Sequence, residues 1–160
     1  MYKLSKIGVV REDGAMIPEA PGNRDWEAYL LWKEEGNEPE PEFTEEEVRK
    51  QLAERIAAKR YEKEGAGLTI AGATVYTDRE TQSKLTAASM RAQRDPDYVV
   101  NWKCVDGSFI TMDSTMIMHV ADMAGDYVQA CYNREGELVS LLNKGEFEEH
   151  MIEEGWPENE

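Results

Sequence analysis

The residues able to do chemistry are few and scattered. There are two histidines, His119 and His150, and two cysteines, Cys104 and Cys131. None of them forms an HxxH or CxxC, and no stretch carries the alternating acids and glycine of a calcium loop, so no metal ligand set is predicted. Ser108 follows a glycine in a hairpin turn, not a strained elbow before a helix, and no histidine stands near it. No glycine-rich loop opens a helix after a strand, so no phosphate cradle is expected. The acids Glu45, Glu46 and Glu47 sit where a helix begins, and complementing its dipole explains them better than acid–base work does. The sequence therefore predicts no catalytic residue, no cofactor and no metal, and a protein that binds but does not catalyse.

Charge narrows the partners. The chain has 160 residues with 33 acidic and 18 basic side chains, a formal charge of −15. Such a charge opposes binding to nucleic-acid phosphate and to anionic membrane surfaces. No run approaches the ~18 consecutive apolar residues of a membrane span, and Met1–Glu12 has no apolar stretch of signal-peptide length. The expectation is a soluble cytoplasmic product with its two cysteines reduced and packed as small hydrophobes.

The elements that would position any binding surface follow from periodicity. Val9-Val10 and Ala15–Ile17 flank Asp13-Gly14 as a small hairpin, and Pro18, Pro21 and Gly22 break it. Asn23 caps a helix over 24–35, on which Trp26, Tyr29, Leu30 and Lys33 share one face and Trp32 lies off it. A helix this short with two tryptophans needs something to lie against, either its own hairpin or another chain; for the second case Trp26, Tyr29, Leu30 and Trp32 are the predicted partner-binding residues. The alternating Glu38–Glu42 segment reads as a stiff linker. Residues 1–37 are thus an N-terminal module, 38–43 a linker, 44–144 the main domain and 145–160 an acidic tail, read as a frayed terminus or as a peptide that docks on a partner.

Within the main domain, Thr44 and Glu47 form a capping box for a helix with the stripe Val48, Leu52, Ile56 and Ala57. A hairpin around Ala71-Gly72 follows. Thr77 and Glu80 suggest a second capping box before a helix with a light face at Leu85, Ala88 and Ala92. A two-residue turn at Asp106-Gly107 would pair Cys104 with Phe109 and Trp102 with Thr111, placing Trp102, Cys104 and Phe109 on the core face and Asn101 and Lys103 outside. A long helix capped by Asp113 or Ser114 carries Met116, Ile117, Val120, Ala124, Tyr127, Val128 and Cys131, with a break expected at Gly136. Met118 and Met123 fall off its main stripe and suggest a second buried face, for a partner or for self-association. The fold class is α+β: an N-terminal β-hairpin plus short helix, then helix–hairpin–helix–hairpin–long helix.

Two stretches of this sequence resemble phage tail proteins. Ile17-Pro18, Asn23-Arg24-Asp25-Trp26, Tyr29, Trp32 and Gly36-Asn37 look like the leader of small proteins encoded beside tail fibres. From Thr44 to Leu142 the chain resembles an uncharacterised domain of tail-fibre assembly proteins, at Thr77-Asp78, Gln82, Trp102-Lys103, Asp106-Gly107, Phe109, Val128–Cys131 and Arg134-Glu135. The resemblance implies an assembly chaperone that binds the phage tail fibre in the host cytoplasm, or a permanent accessory subunit of the virion tail bound to another tail component. A reading of another class is an acidic phage-encoded inhibitor or DNA mimic. It would need the acids gathered in one patch, whereas here many of them mark helix starts, the linker and the tail.

Overall fold

The computed structural model describes residues 1–70 and 72–159, an α+β chain that divides into two compact units, Met1–Lys50 and Gln51–Glu160. The first unit begins with three antiparallel strands, β1 (Tyr2–Ser5), β2 (Gly8–Arg11) and β3 (Met16–Pro18), so the sheet has one strand more than the predicted hairpin. Helix α1 (Arg24–Glu34) starts where Asn23 accepts the N–H groups of Asp25 and Trp26. Val9, Ile17 and Tyr29 form the buried centre, and Tyr2, Trp26 and Trp32 pack around it. The Pro-Glu segment is extended but not free: Glu40 donates its N–H to the Tyr2 carbonyl and accepts from Leu4 N–H, both at 2.8 Å.

Helix α2 (Glu45–Glu64) opens with the expected box, Thr44 Oγ1 accepting from Glu47 N–H while the Glu47 carboxylate takes the Thr44 N–H. In the second unit, β4 (Leu68–Ile70) and β5 (Ala73–Val75) form one hairpin, and β6 (Val99–Lys103) and β7 (Phe109–Asp113) another. The predicted Ala71-Gly72 turn includes Ala71, which lies outside the described residues. Helix α3 (Arg79–Ala92) is capped by Asp78, which accepts the Thr81 N–H, and not by Thr77 as the sequence suggested. Thr77 is fully buried and used elsewhere: its hydroxyl donates to the Glu64 carbonyl (2.6 Å) and accepts the Gly67 N–H (3.0 Å). Of two adjacent capping residues, the outer one is claimed by tertiary bonds and the inner one starts the helix.

Helix α4 (Ser114–Lys144) runs 31 residues without the break expected at Gly136 and ends on the left-handed Gly145. A mid-helix glycine costs ~1 kcal/mol relative to alanine, less than the burial of Leu138 and Leu142 just beyond it returns. The first half of α4 packs on α3 and both hairpins through Ile117, Val120, Ala124, Tyr127 and Cys131, with Met118 and Met123 half-buried at the margin. Its second half, with Ile56 of α2, forms a further cluster that Ile152 joins. The acidic C-terminal segment is therefore not frayed. A 3₁₀ turn at Glu149–Ile152 inserts Ile152, Arg134 binds the Met151 and Glu154 carbonyls, and Asn159 accepts the Thr69 N–H.

Both Asp-Gly sites adopt a loop one residue longer than predicted. Arg11 N–H bonds to the Ala15 carbonyl and Gly14 N–H to the Arg11 carbonyl; Cys104 N–H bonds to the Ser108 carbonyl and Gly107 N–H to the Cys104 carbonyl. This is a three-residue loop whose glycine, at φ 86° in Gly14 and 84° in Gly107, takes the left-handed conformation as a bulge. The extra residue moves the register by one: Lys103 pairs with Phe109, Trp102 with Ile110 and Val100 with Met112. A one-residue shift reverses faces. Met112 is fully buried and Ile110 half-buried, while Phe109, expected in the core, is 66% exposed.

Two outcomes test this architecture. Thr77→Val leaves the Gly67 N–H and Glu64 carbonyl unpaired in a buried place and should cost about 2–4 kcal/mol in urea unfolding, with Thr77→Ser recovering most of it. In the β2–β3 loop, hydrogen bonds from Arg11 and the Ala15 N–H hold the Asp13 carboxyl down to about 2. A depressed carboxyl stabilises above its unfolded pKa, and that contribution is lost as pH falls from about 4 towards 2. Carboxyl NMR titration should place its midpoint near 2, and Asp13→Asn should remove that part of the acid sensitivity.

Candidate peptide-binding groove

Among the described residues the β6–β7 hairpin is a two-stranded sheet with no third strand on either side, and its β6 edge is the one that borders a cleft. Cys104 bonds to Ser108, so alternation makes Trp102–Ile110 and Val100–Met112 the hydrogen-bonded pairs. The backbone N–H and C=O groups of Val99, Asn101 and Lys103 consequently point away from β7. At one end this edge is held to β5, where Val105 N–H bonds to the Thr74 carbonyl at 2.8 Å. Beyond that bond the chain leaves β5 for the cap of α3, and the two walls part. Between them lies a groove of about 450 Å³ lined by Tyr76, Asp78, Glu80, Thr81, Lys84, Asn101, Trp102 and Lys103.

Its charges are unequally engaged. Lys84 pairs with Glu80 one turn back on α3, and that hydrogen bond raises the lysine's pKa. The Asp78 carboxylate accepts from both the N–H and the hydroxyl of Thr81. Lys103 makes no ion pair among the described residues. Phe109, its cross-strand neighbour, and Val99 at the far end of β6 are exposed on the same outer face, with Asn101 and Thr111 hydrogen-bonded between them at 2.9 Å.

The predicted contact residues divide. Tyr29 is only 3% exposed, and burial raises its pKa; the small core of the first unit is built on it, so it cannot serve as a contact. Trp26 and Trp32 are half-buried, with ring centres 5.0 and 6.2 Å from that of Tyr29. Leu30 is exposed, and so is Leu31, which lies off the predicted stripe. The four residues therefore do not present one face. The helix was too short to show which side its own sheet would take.

Residues with chemical potential are not brought together. His119 and His150 are exposed, and both cysteines are buried and free. Burial pushes the Cys131 thiol up. Among the described residues no three His, Cys, Asp or Glu side chains are placed to hold a metal, and no helix is long and apolar enough to cross a membrane. The open edge was missed because alternation reveals which way side chains point, but whether a third strand joins is decided by distant residues.

Fold and groove define the second unit as an α+β domain that presents an open strand edge beside a cleft. The chain belongs to a family described as "Domain of unknown function (DUF4376)", whose model matches residues 47–153. No curated protein and no solved structure matches it.

The placement of the hairpin residues has a direct check. Phe109→Ala should change stability by no more than about 0.5 kcal/mol, whereas Met112→Ala should cost about 2–5 kcal/mol. The two-residue turn would reverse that order, and chemical denaturation of both variants distinguishes the registers.

Proposed function

We propose that this protein assists assembly of a phage tail fibre by binding the fibre polypeptide without catalysis. The observation that carries this reading is the open edge of β6 beside its groove. A fibre subunit awaiting its partners exposes strand edges and apolar surface, both prone to wrong association. A soluble, acidic protein with an available strand edge and exposed apolar side chains such as Phe109 is suited to cover them. The resemblance supports the same place: Asp78, Trp102 and Lys103, which are among the residues that carry it, line the groove. On this reading the protein acts in the host cytoplasm during phage assembly.

Co-expression with the neighbouring tail-fibre polypeptide tests the proposal. The fibre is expected to be soluble only when this protein is present and to co-purify with it, while finished particles lack it. Its presence in particles would make it a tail subunit. A fibre equally soluble without it would contradict the proposal.

A further inference from the structure

We propose that β6 recognises its partner by strand addition: an extended segment of another polypeptide pairs with Val99, Asn101 and Lys103 and sets a carboxylate against the Lys103 ammonium. This deepens the fibre-assembly reading and rests on it for the partner's identity, but not for the mode of binding.

Three features specify the occupant. The first is the row of outward N–H and C=O groups at alternate residues, whose spacing matches that of another extended backbone. Five residues of β6 offer about 17 Å of edge. The second is the bond between Val105 and Thr74, which closes one end of the cleft. An incoming strand therefore starts against Tyr76 and extends towards Val99. The third is charge. In a chain of net charge −15, Lys103 stands at this edge with no ion pair among the described residues, while Lys84 and Asp78 already have partners. A carboxylate on the added strand supplies the missing counter-charge, and an apolar side chain nearby covers exposed Phe109.

A second copy of this chain is a poorer occupant. Antiparallel pairing of two β6 edges about Asn101 would set each Lys103 beside Val99 of the other copy, leaving the ammonium uncompensated. Two bodies of charge −15 also repel. The C-terminal segment is engaged elsewhere, since Asn159 bonds to Thr69 on β4.

Proline at position 101 is the decisive substitution. The Asn101 N–H faces the cleft and not β7, so Asn101→Pro removes a donor from the open edge and leaves the hairpin ladder intact. Asn101→Ala controls for the side-chain bond to Thr111. A displayed library of linear twelve-residue peptides would be selected on the full-length wild-type chain and the winners measured against each variant. Acid-containing peptides are expected to emerge with Hα–Hα NOE contacts to β6. Asn101→Pro and Lys103→Glu should each weaken them at least about tenfold, a loss of ~1.4 kcal/mol, with Asn101→Ala close to wild type and thermal midpoints unchanged.

Peptides that bind Asn101→Pro as well as wild type, or no peptide that discriminates, would overturn the inference. So would a wild-type dimer that Asn101→Pro dissociates, because the occupant would then be a second copy. If Asn101→Pro unfolds the chain, the N–H faces β7 and the assigned edge is wrong. The fibre polypeptide, measured alongside, separates the two claims. Discriminating peptides with no fibre binding leave strand addition standing and remove the fibre; fibre binding indifferent to Asn101→Pro does the reverse.

Discussion

The second unit depends on what is done with one buried acid. Glu64 ends α2 and is only 2% exposed. An unpaired carboxylate at such a place would be costly, and breaking a buried pair by removing one partner typically costs about 3–5 kcal/mol. Here Arg60, one turn back, faces the carboxylate and also binds Glu135 on α4 (3.0 Å), while Gln82 on α3 donates to it at 3.1 Å. The Arg60 guanidinium lies over the Tyr132 ring. Burial works against its charge, but the Glu135 hydrogen bond and the Glu64 charge outweigh that and raise its pKa. The Glu64 carbonyl takes the Thr77 hydroxyl, and the neighbouring Lys63 carbonyl takes the Tyr127 hydroxyl. One helix end is thereby tied to α3, α4 and the segment before the α3 cap. Among the described residues no buried side-chain nitrogen or oxygen lacks a partner.

That knot sets the geometry of the groove. Thr77, fixed between Glu64 and Gly67, determines where the chain leaves β5 and where Asp78 begins α3. The β6–β7 hairpin is positioned from the other side by Val100, Trp102, Ile110 and Met112 on the α3–α4 core. The two anchors meet at the Val105–Thr74 bond and part beyond it, so β6 keeps a free edge while both of its neighbours are held. A free edge is a hazard that folded proteins commonly blunt with charge. Lys103 and the surrounding acids serve that purpose in the unbound chain, and the same lysine can select a partner that brings a carboxylate.

Much of this was legible in the sequence where one residue acts through its immediate neighbours. The Thr44–Glu47 box, the Asn23 cap, the α4 rhythm and the light face of α3 are of that kind, while the α4 cap was narrowed only to Asp113 or Ser114, of which Asp113 is the one used. Misreadings occurred where two local solutions share one signature. Asp-Gly suits a two-residue turn and also a three-residue loop with a glycine bulge, and the choice moved Phe109 from core to surface. Thr77 and Asp78 are both good caps, and only the distant Glu64 and Gly67 separate them. The acidic tail looked frayed because its few apolar residues are diluted by charge, yet Ile152 is buried with Leu138 and Leu142, and Phe147, Met151 and Trp156 pack against them. Of the site, the outward side chains of Asn101 and Lys103 could be read; the absence of a strand beside them could not.

The central claim is that β6 holds a row of unpaired backbone groups ready for another strand. Residue-resolved amide hydrogen exchange on the free full-length chain tests it most directly. The account predicts alternation along β6: Val100 and Trp102 strongly protected, Asn101 and Lys103 exchanging at rates close to those of unbonded amides. Equal protection of all four would mean that the edge is already paired in the free protein, and the account would be contradicted.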